Sequence, residues 1–393
     1  MEEKVQHVRR LHYQTYRELL IMKYVLSIDW LAVYCLHIPA GSAQEQWTPS
    51  ESDGSLLGAY PWRFRKADYG TRQFSQLHFV AMPNEEGGWD NFAEIQSVPY
   101  SHILEPKAII VRFVNRSLYR PDFWQLADRL LVDNGFAFKS ISRIDICADF
   151  NDFATISPVK LIEDFAAKRL RHVGRGVGAL YFEHGVKMDV LTGFKDYGVR
   201  YTGLSFGTHS SDAHVYLYNK SFELLTMGDK PWIRDQWIRA GLDVRNVWRL
   251  EVSLKSSGCK FKDKETGEEV EITANSASDG DELTKFYHTF VRKLFSFVHN
   301  PMSQKNITRE PRIKLFEGAP AYDRGVLRNL SGSGRMERIL IKALYQLGDR
   351  YRGADIYESG DIAQSFAVAL AESCDLARWM GSHIEEWEKP THK

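Results

Sequence analysis

Residues 142–151 read Ser-Arg-Ile-Asp-Ile-Cys-Ala-Asp-Phe-Asn. Strict alternation marks a strand with two unlike faces, Ile144, Ile146, Ala148 and Phe150 on one and Arg143, Asp145, Cys147 and Asp149 on the other. An amphipathic strand ordinarily turns its charges to bulk water. Two later segments repeat the pattern with different chemistry. In Ala213–Lys220, Tyr216, Tyr218 and Lys220 alternate with Val215 and Leu217, and in Val247–Ser253, Arg249 and Glu251 alternate with Trp248, Leu250 and Val252. If the three strands are neighbours in one sheet, the carboxylates of Asp145, Asp149 and Glu251 converge beside a tyrosine hydroxyl and basic groups.

The rest of the chain bounds the reading. A length of 393 residues suits two or three domains, and 44% hydrophobic with 26% charged residues is the composition of a soluble globular protein. Lys plus Arg equals Asp plus Glu at 51 each. Global basicity therefore announces no polyanion, although a local patch is enough to hold phosphates. Cys35, Cys147, Cys259 and Cys374 are scattered and lack the CxxC spacing of zinc or redox motifs. Reduced thiols and a cytoplasmic location are expected. No apolar run reaches the roughly 18 residues of a membrane span, so no membrane partner is expected.

In chain order, residues 1–27 read as an N-terminal helical segment and Ile28–Ile38 as a buried strand opening with Asp29-Trp30. Residues 39–60 read as a surface loop. Trp62–Lys66 interleaves Trp62 and Phe64 with Arg63, Arg65 and Lys66, which suits either base stacking with phosphate contact or an ordinary amphipathic hairpin. Lys107–Val114 reads as a strand and Pro121–Asn134 as a helix stopped at Asn134-Gly135. Ser157-Pro158 caps a helix through about Leu170, with Val159, Ile162, Phe165 and Ala166 inward. Residues 171–200 are a flexible basic surface or plain hairpin turns, and Pro231–Ala240 is a short helix. Beyond Gly258, helical periodicity dominates at 283–298, 336–347 and 362–387. The expected architecture is α+β: a largely antiparallel central sheet with packed helices over 28–258, and a mostly helical region over 259–393.

The order RIDICAD at 143–149, GLSFGTHSSD at 203–212, VYLYNKSFE at 215–223 and WRLEV at 248–252 resembles the replication initiation factor family of rolling-circle plasmids, filamentous phages and related mobile elements. The resemblance covers roughly residues 28–256, and its specificity lies in the combination of motifs. It implies a nickase core of ferredoxin-like type that cuts origin DNA through a tyrosine linked to the new 5′ phosphate. Carried over by motif, Tyr218 is the nucleophile with Lys220 beside it. Asp145, Asp149 and Glu251 are acids for a divalent metal, Mg²⁺ or Mn²⁺, and Arg143 and Arg249 accompany them. Asn219 stands where the family often has an acid, and alternation turns it away from the site. The implied partners are single-stranded or hairpin origin DNA, a host replicative helicase and a second copy of the chain.

The chemistry is coherent by itself. A neutral phenol, with its pKa near ~10, is a poor nucleophile at neutral pH, and a nearby cation or metal stabilises its phenolate. A hard divalent ion also polarises a scissile phosphate. Tyr216 shares a face with Tyr218 and competes for the nucleophile's role; as a DNA contact it joins Arg63, Arg65, Lys66 and Arg143. For Asp145 and Asp149 the alternative is ion pairing with Arg143 and Arg249. His209 and His214 read as turn or surface histidines, open to a role as ligand or phosphate contact.

Overall fold

The structure, a computed structural model, describes residues 23–38, 46–49, 60–100, 104–173, 178–188, 195–207, 211–263, 266–300 and 310–322. Its strands are β1 (Tyr24–His37), β2 (Arg63–Lys66), β3 (Phe74–Pro83), β4 (Trp89–Pro99), β5 (Ala108–Phe113), β6 (Phe136–Phe150), β7 (Leu170–His172), β8 (Gly178–Met188), β9 (Lys195–Phe206), β10 (Ala213–Asn219), β11 (Trp248–Lys255), β12 (Lys260–Lys262), β13 (Glu269–Glu271) and β14 (Phe297–His299). A 10-stranded sheet runs β2-β3-β4-β5-β1-β6-β11-β10-β9-β8, and every pairing in it is antiparallel. The acidic strand β6, the glutamate strand β11 and the tyrosine strand β10 are consecutive, which meets the condition for their polar sides to share one face.

The helices are α1 (Asn115–Leu118), α2 (Phe123–Asp133), α3 (Pro158–Ala166), α4 (Lys220–Met227), α5 (Pro231–Ala240), α6 (Ala274–Ser278) and α7 (Gly280–Leu294). The apolar sides of the three central strands make one continuous buried face: Ile144, Ile146 and Ala148 of β6, Val215 and Leu217 of β10, Leu250 and Val252 of β11. Each fully buried Val, Leu or Ile contributes roughly 1.5–3 kcal/mol. Helix α7 seals this back face, and its buried Tyr287 hydroxyl donates to the Leu250 carbonyl at 2.9 Å. Phe123 of α2 packs edge-on against Phe113 with centroids 5.0 Å apart. On the front face, α4 and α5 cover one end through Val25, Leu224, Ile233, Trp237 and Val247.

The α+β architecture with a large antiparallel sheet is therefore present, and several local expectations shift. β1 begins at Tyr24 rather than Ile28, so residues 24–27 are strand; the segment before Lys23 and most of 39–60 lie outside the described residues. Ser157 accepts the Lys160 amide and Pro158 fills the first turn, as its cap signature requires, yet α3 stops at Ala166. Lys168 adopts φ 59° and Leu170 pairs into β7, which ends the helix short of Leu170. Ile162 is buried as expected, whereas Val159 faces out at 42% exposure and Leu161 is buried in its place. Within 171–200, β8 and β9 form a long hairpin, the second of the two readings open for that segment. Helix α7 lies on the central sheet, and the chain divides into units only after Val326; the stretches 336–347 and 362–387 lie outside the described residues.

Gly203 pairs with Tyr218 in β10. A Cβ there would stand 2.8 Å from the Leu217 carbonyl and 2.8 Å from the Tyr216 ring. Backbone cannot yield as a side-chain tip does, so Gly203→Ala is expected to destabilise the chain by about 1–3 kcal/mol in urea unfolding.

Candidate active site

Register turns three alternating strands into rows on the front face, because directly paired residues of antiparallel strands project to the same side. Tyr218, Arg249 and Asp149 make one row; Tyr216, Glu251 and Cys147 the next; His214, Ser253 and Asp145 the third. The sequence-derived residues are thus gathered on one surface. Their partners differ, and the partners decide what each can do.

Arg249 is fully buried. Its guanidinium holds Asp149 with two bonds, Nε–Oδ1 at 2.6 Å and Nη2–Oδ2 at 2.7 Å, and reaches Asp29 at 2.5 Å through Nη1. The Trp237 indole donates to the second Asp149 oxygen at 2.7 Å, and the Tyr119 hydroxyl donates to Asp29 at 2.9 Å. Asn115 fixes Asp29 from the other side at 3.0 Å and is itself held by Trp232 at 3.1 Å. Burial opposes the Asp29 carboxylate, but Arg249 and Lys220 overcome it and hold its pKa well below the usual range. Both oxygens of Asp149 are occupied, so this acid belongs to a buried ion-pair network. Arg249 is fully buried and does not line the cleft over Tyr218, so in this arrangement it acts as a strut.

Asp145 is bound by Arg143 through Nε at 3.0 Å and Nη2 at 2.6 Å. Ion pairing, the alternative left open for both aspartates, is the arrangement adopted. The Arg143 guanidinium also lies 4.7 Å from the centre of the Trp30 ring.

Glu251 stands apart. Its Oε2 accepts the Tyr218 hydroxyl at 3.2 Å. Burial, then the Asp145 and Asp29 carboxylates, push its pKa up to about 7, against the pull of Arg249 and Lys220. Tyr218 is pushed well above the ordinary phenol value by burial and by Glu251, so it stays a neutral donor to Glu251. The Lys220 ammonium lies 3.4 Å from the same hydroxyl and 2.5 Å from Glu223 Oε2, an ion-pair distance without hydrogen-bond geometry at that oxygen. An open cleft of about 390 Å³ lies over Tyr216, Tyr218, Glu223 and Glu251. Tyr216 stacks on Tyr218 with centroids 4.6 Å apart, and burial raises its pKa to about 12.

Lys220 is not placed by strand alternation. The strand ends at Asn219, whose side chain accepts the Phe222 amide and starts α4, so Lys220 is the helix's first residue and Asn219 lines the cleft instead of facing away. Arg63, Arg65 and Lys66 are not at this site. β2 is the opposite edge of the sheet, seven strand spacings from β10, about 34 Å. Trp62 there is buried and donates to Asp133 at 3.0 Å, which removes it as a stacking surface. His214 is buried, and His209 lies outside the described residues. Two participants escaped the sequence reading, Asp29 as a member of the network and Glu223. The β1–β6 register shifts between Ile28 and Trp30, and such a bulge re-aims a side chain in a way alternation does not show. Glu223 was hidden by the unanticipated helix.

Among the described residues no group of three or more His, Cys, Asp or Glu side chains forms a metal-ligand set. Asp145, Asp149 and Glu251 do not make one cage as arranged: Arg249 and Trp237 close Asp149, and Arg143 closes Asp145.

Two outcomes follow from these environments. Removing one partner of a buried ion pair strands the other, so Arg249→Met is expected to lose about 3–5 kcal/mol in urea unfolding. Arg249→Lys should not restore it, because one ammonium cannot bridge Asp149 and Asp29 as the planar fork does. The folded-state pKa of Glu251 is raised, so folding favours its protonated form and stability falls as pH rises through about 7. Glu251→Gln should therefore be more stable than the parent by ~1–3 kcal/mol at about pH 8, with the difference closing near about pH 4. Denaturant titrations at the two pH values check both size and sign.

No protein-family model and no curated protein matches the chain. Among solved structures it is similar to a rolling circle replication initiator protein from Geobacillus stearothermophilus, with 15% sequence identity over 74% of this chain and 93% of the other and a TM-score of 0.40.

Proposed function

We propose that the chain is a DNA nickase and strand transferase that starts rolling-circle replication, with Tyr218 as nucleophile and Glu251 as its general base. The observation that carries this reading is the Tyr218 hydroxyl donating to Glu251 at 3.2 Å with the Lys220 ammonium 3.4 Å away, at the edge of an open cleft. The motif resemblance to replication initiation factors supports the same assignment.

In this reading the Tyr218 oxygen attacks the scissile phosphorus of origin DNA. Its proton passes to Glu251 as the new P–O bond forms, and the bond from phosphorus to the 3′ oxygen breaks. The 3′ oxygen leaves as a hydroxyl after taking a proton from water, and the 5′ phosphate stays on the tyrosine. Lys220 offsets negative charge on the phenol oxygen as its proton departs. A carboxyl with a pKa near 7 suits this proton transfer at neutral pH, since catalytic groups work best when their pKa lies near the operating pH. The reverse path needs no new component: the 3′ hydroxyl attacks the phosphotyrosine, and protonated Glu251 returns its proton to the leaving phenolate. Because one ester replaces another, the nick is resealable without an external energy source. The acids do not form one metal cage as arranged, since Arg249 and Trp237 hold Asp149 and Arg143 holds Asp145.

Tyr216 is the competing nucleophile by position. Glu251 and Lys220 both address Tyr218, and that favours Tyr218.

Incubation with a labelled hairpin origin oligonucleotide, followed by a denaturing gel, tests the reading. Tyr218→Phe should form no covalent adduct while binding DNA as the parent does; adducts at the parental level would transfer the role to another residue. Glu251→Gln should lower the adduct rate by about 10²-fold or more and remove the rise in rate between about pH 6 and 8. Cut ends without an adduct would instead indicate attack by water.

A further inference from the structure

Lys220 stands where helix stability alone would not put it. It is the first residue of α4, and the helix macrodipole disfavours a cation at that end. It is also buried, with 1% of its surface exposed, and an unpaired ammonium held out of water is costly. The backbone of this turn is pinned: the Lys220 and Ser221 amides both donate to the Val247 carbonyl, at 2.9 Å and 3.1 Å. Only the side-chain stem is left to place the charge, and a lysine stem is flexible unless its end is held.

Carboxylates from three elements compete for that end. Glu251 of β11 and Asp29 of β1 both feel the ammonium's charge, which draws their pKa values down. Glu223 of α4 holds it, with Oε2 2.5 Å from Nζ. The reason is local: positions i and i+3 of one helix are neighbours, so the turn that carries Lys220 also supplies its partner. An acid suits this first turn, because the dipole favours it. From there the ammonium reaches the Tyr218 hydroxyl at 3.4 Å and lies 5.3 Å from the centre of its ring. The Tyr218 proton is directed at Glu251, so the ammonium meets a lone pair of the phenol oxygen. An ammonium drawn to Glu251 instead would neutralise the carboxylate that accepts the phenol's proton. Glu223 keeps its side chain 32% exposed and lines the cleft beside Tyr218.

We propose that Glu223 is the positioning residue of this site: it holds the Lys220 ammonium at the Tyr218 oxygen and away from Glu251, so that cation and base address the phenol separately. Glu223 touches no reacting atom in this assignment and acts through Lys220 alone. The inference rests on the nickase reading for its catalytic consequence, but the pairing itself is measurable without cleavage.

Single-turnover adduct formation with the labelled hairpin origin oligonucleotide is measured in the full chain at saturating DNA. Glu223→Gln should slow it roughly tenfold. DNA affinity of the same variant, read by fluorescence anisotropy, should be equal or higher, because an anionic side chain has left a cleft that receives a phosphate. Weaker binding would mark a disrupted cleft and overturn the assignment. Lys220→Met should slow adduct formation by about 10²-fold, and Glu223→Gln added to Lys220→Met should cause no further loss. A parental rate in Glu223→Gln, or losses that multiply in the double variant, overturns it as well. Urea unfolding of the same three variants reads the pair directly. Each single substitution should lower the midpoint and the double variant should recover most of the loss, since neither charge is then left stranded. Additive midpoint losses overturn the pairing. If the midpoints couple while the wild-type chain forms no adduct, the pairing of Glu223 with Lys220 stands and the nickase reading fails.

Discussion

A fully buried guanidinium sits at the junction of three strands, and the front of the molecule is arranged around it. Removing Arg249 from water is tolerable only because Asp149 from β6 and Asp29 from β1 neutralise it with directed bonds. Those acids are in turn held by Trp237 of α5 and by Asn115 and Tyr119 at α1. One charge therefore fixes the order of β1, β6 and β11 and seats α1 and α5 over one end of the face. Its demand for partners also determines which carboxylates remain for chemistry.

The acids on this face illustrate how environment, more than residue type, sets reactivity. Asp29 is held ionised by two cations, Asp145 is clamped by Arg143, and Asp149 has no free oxygen. Glu251 lies one row away, buried and close enough to feel the charges of Asp145 and Asp29 while it accepts a bond from a phenol, and its pKa rises to about 7. Groups whose environments push their pKa values apart divide acid, base and structural roles among themselves. Here the division leaves Glu251 and Tyr218 as the reactive pair.

The two faces of the sheet obey different rules. The back is a continuous apolar layer closed by α7, and it supplies the burial that holds the long strands together. The front carries polar side chains in rows, several of them buried in ion pairs, and a row of a wide antiparallel sheet connects residues that are far apart in sequence. Tyr218, Arg249 and Asp149 belong to one such row.

Much of this was legible in the residues. Alternation in 143–150, 213–219 and 248–255 identified three two-faced strands, their apolar sides and the side that carries Tyr218 and Glu251, because side-chain direction in a strand has period two. The Ser157-Pro158 and Pro231 signatures placed two helices for equally local reasons. What tertiary structure alone decided is the partnership of each charge. Asp149 and Glu251 look alike in sequence, as acids on one face; a buried arginine from another strand silences the first, and burial beside the Asp145 and Asp29 carboxylates raises the second. Asp29 joined the network through a bulge, and Lys220 reached the phenol because Asn219 turned the chain into a helix. Periodicity encodes direction along a single strand. Electrostatic fate depends on distances between strands, and those exist only once the sheet has formed.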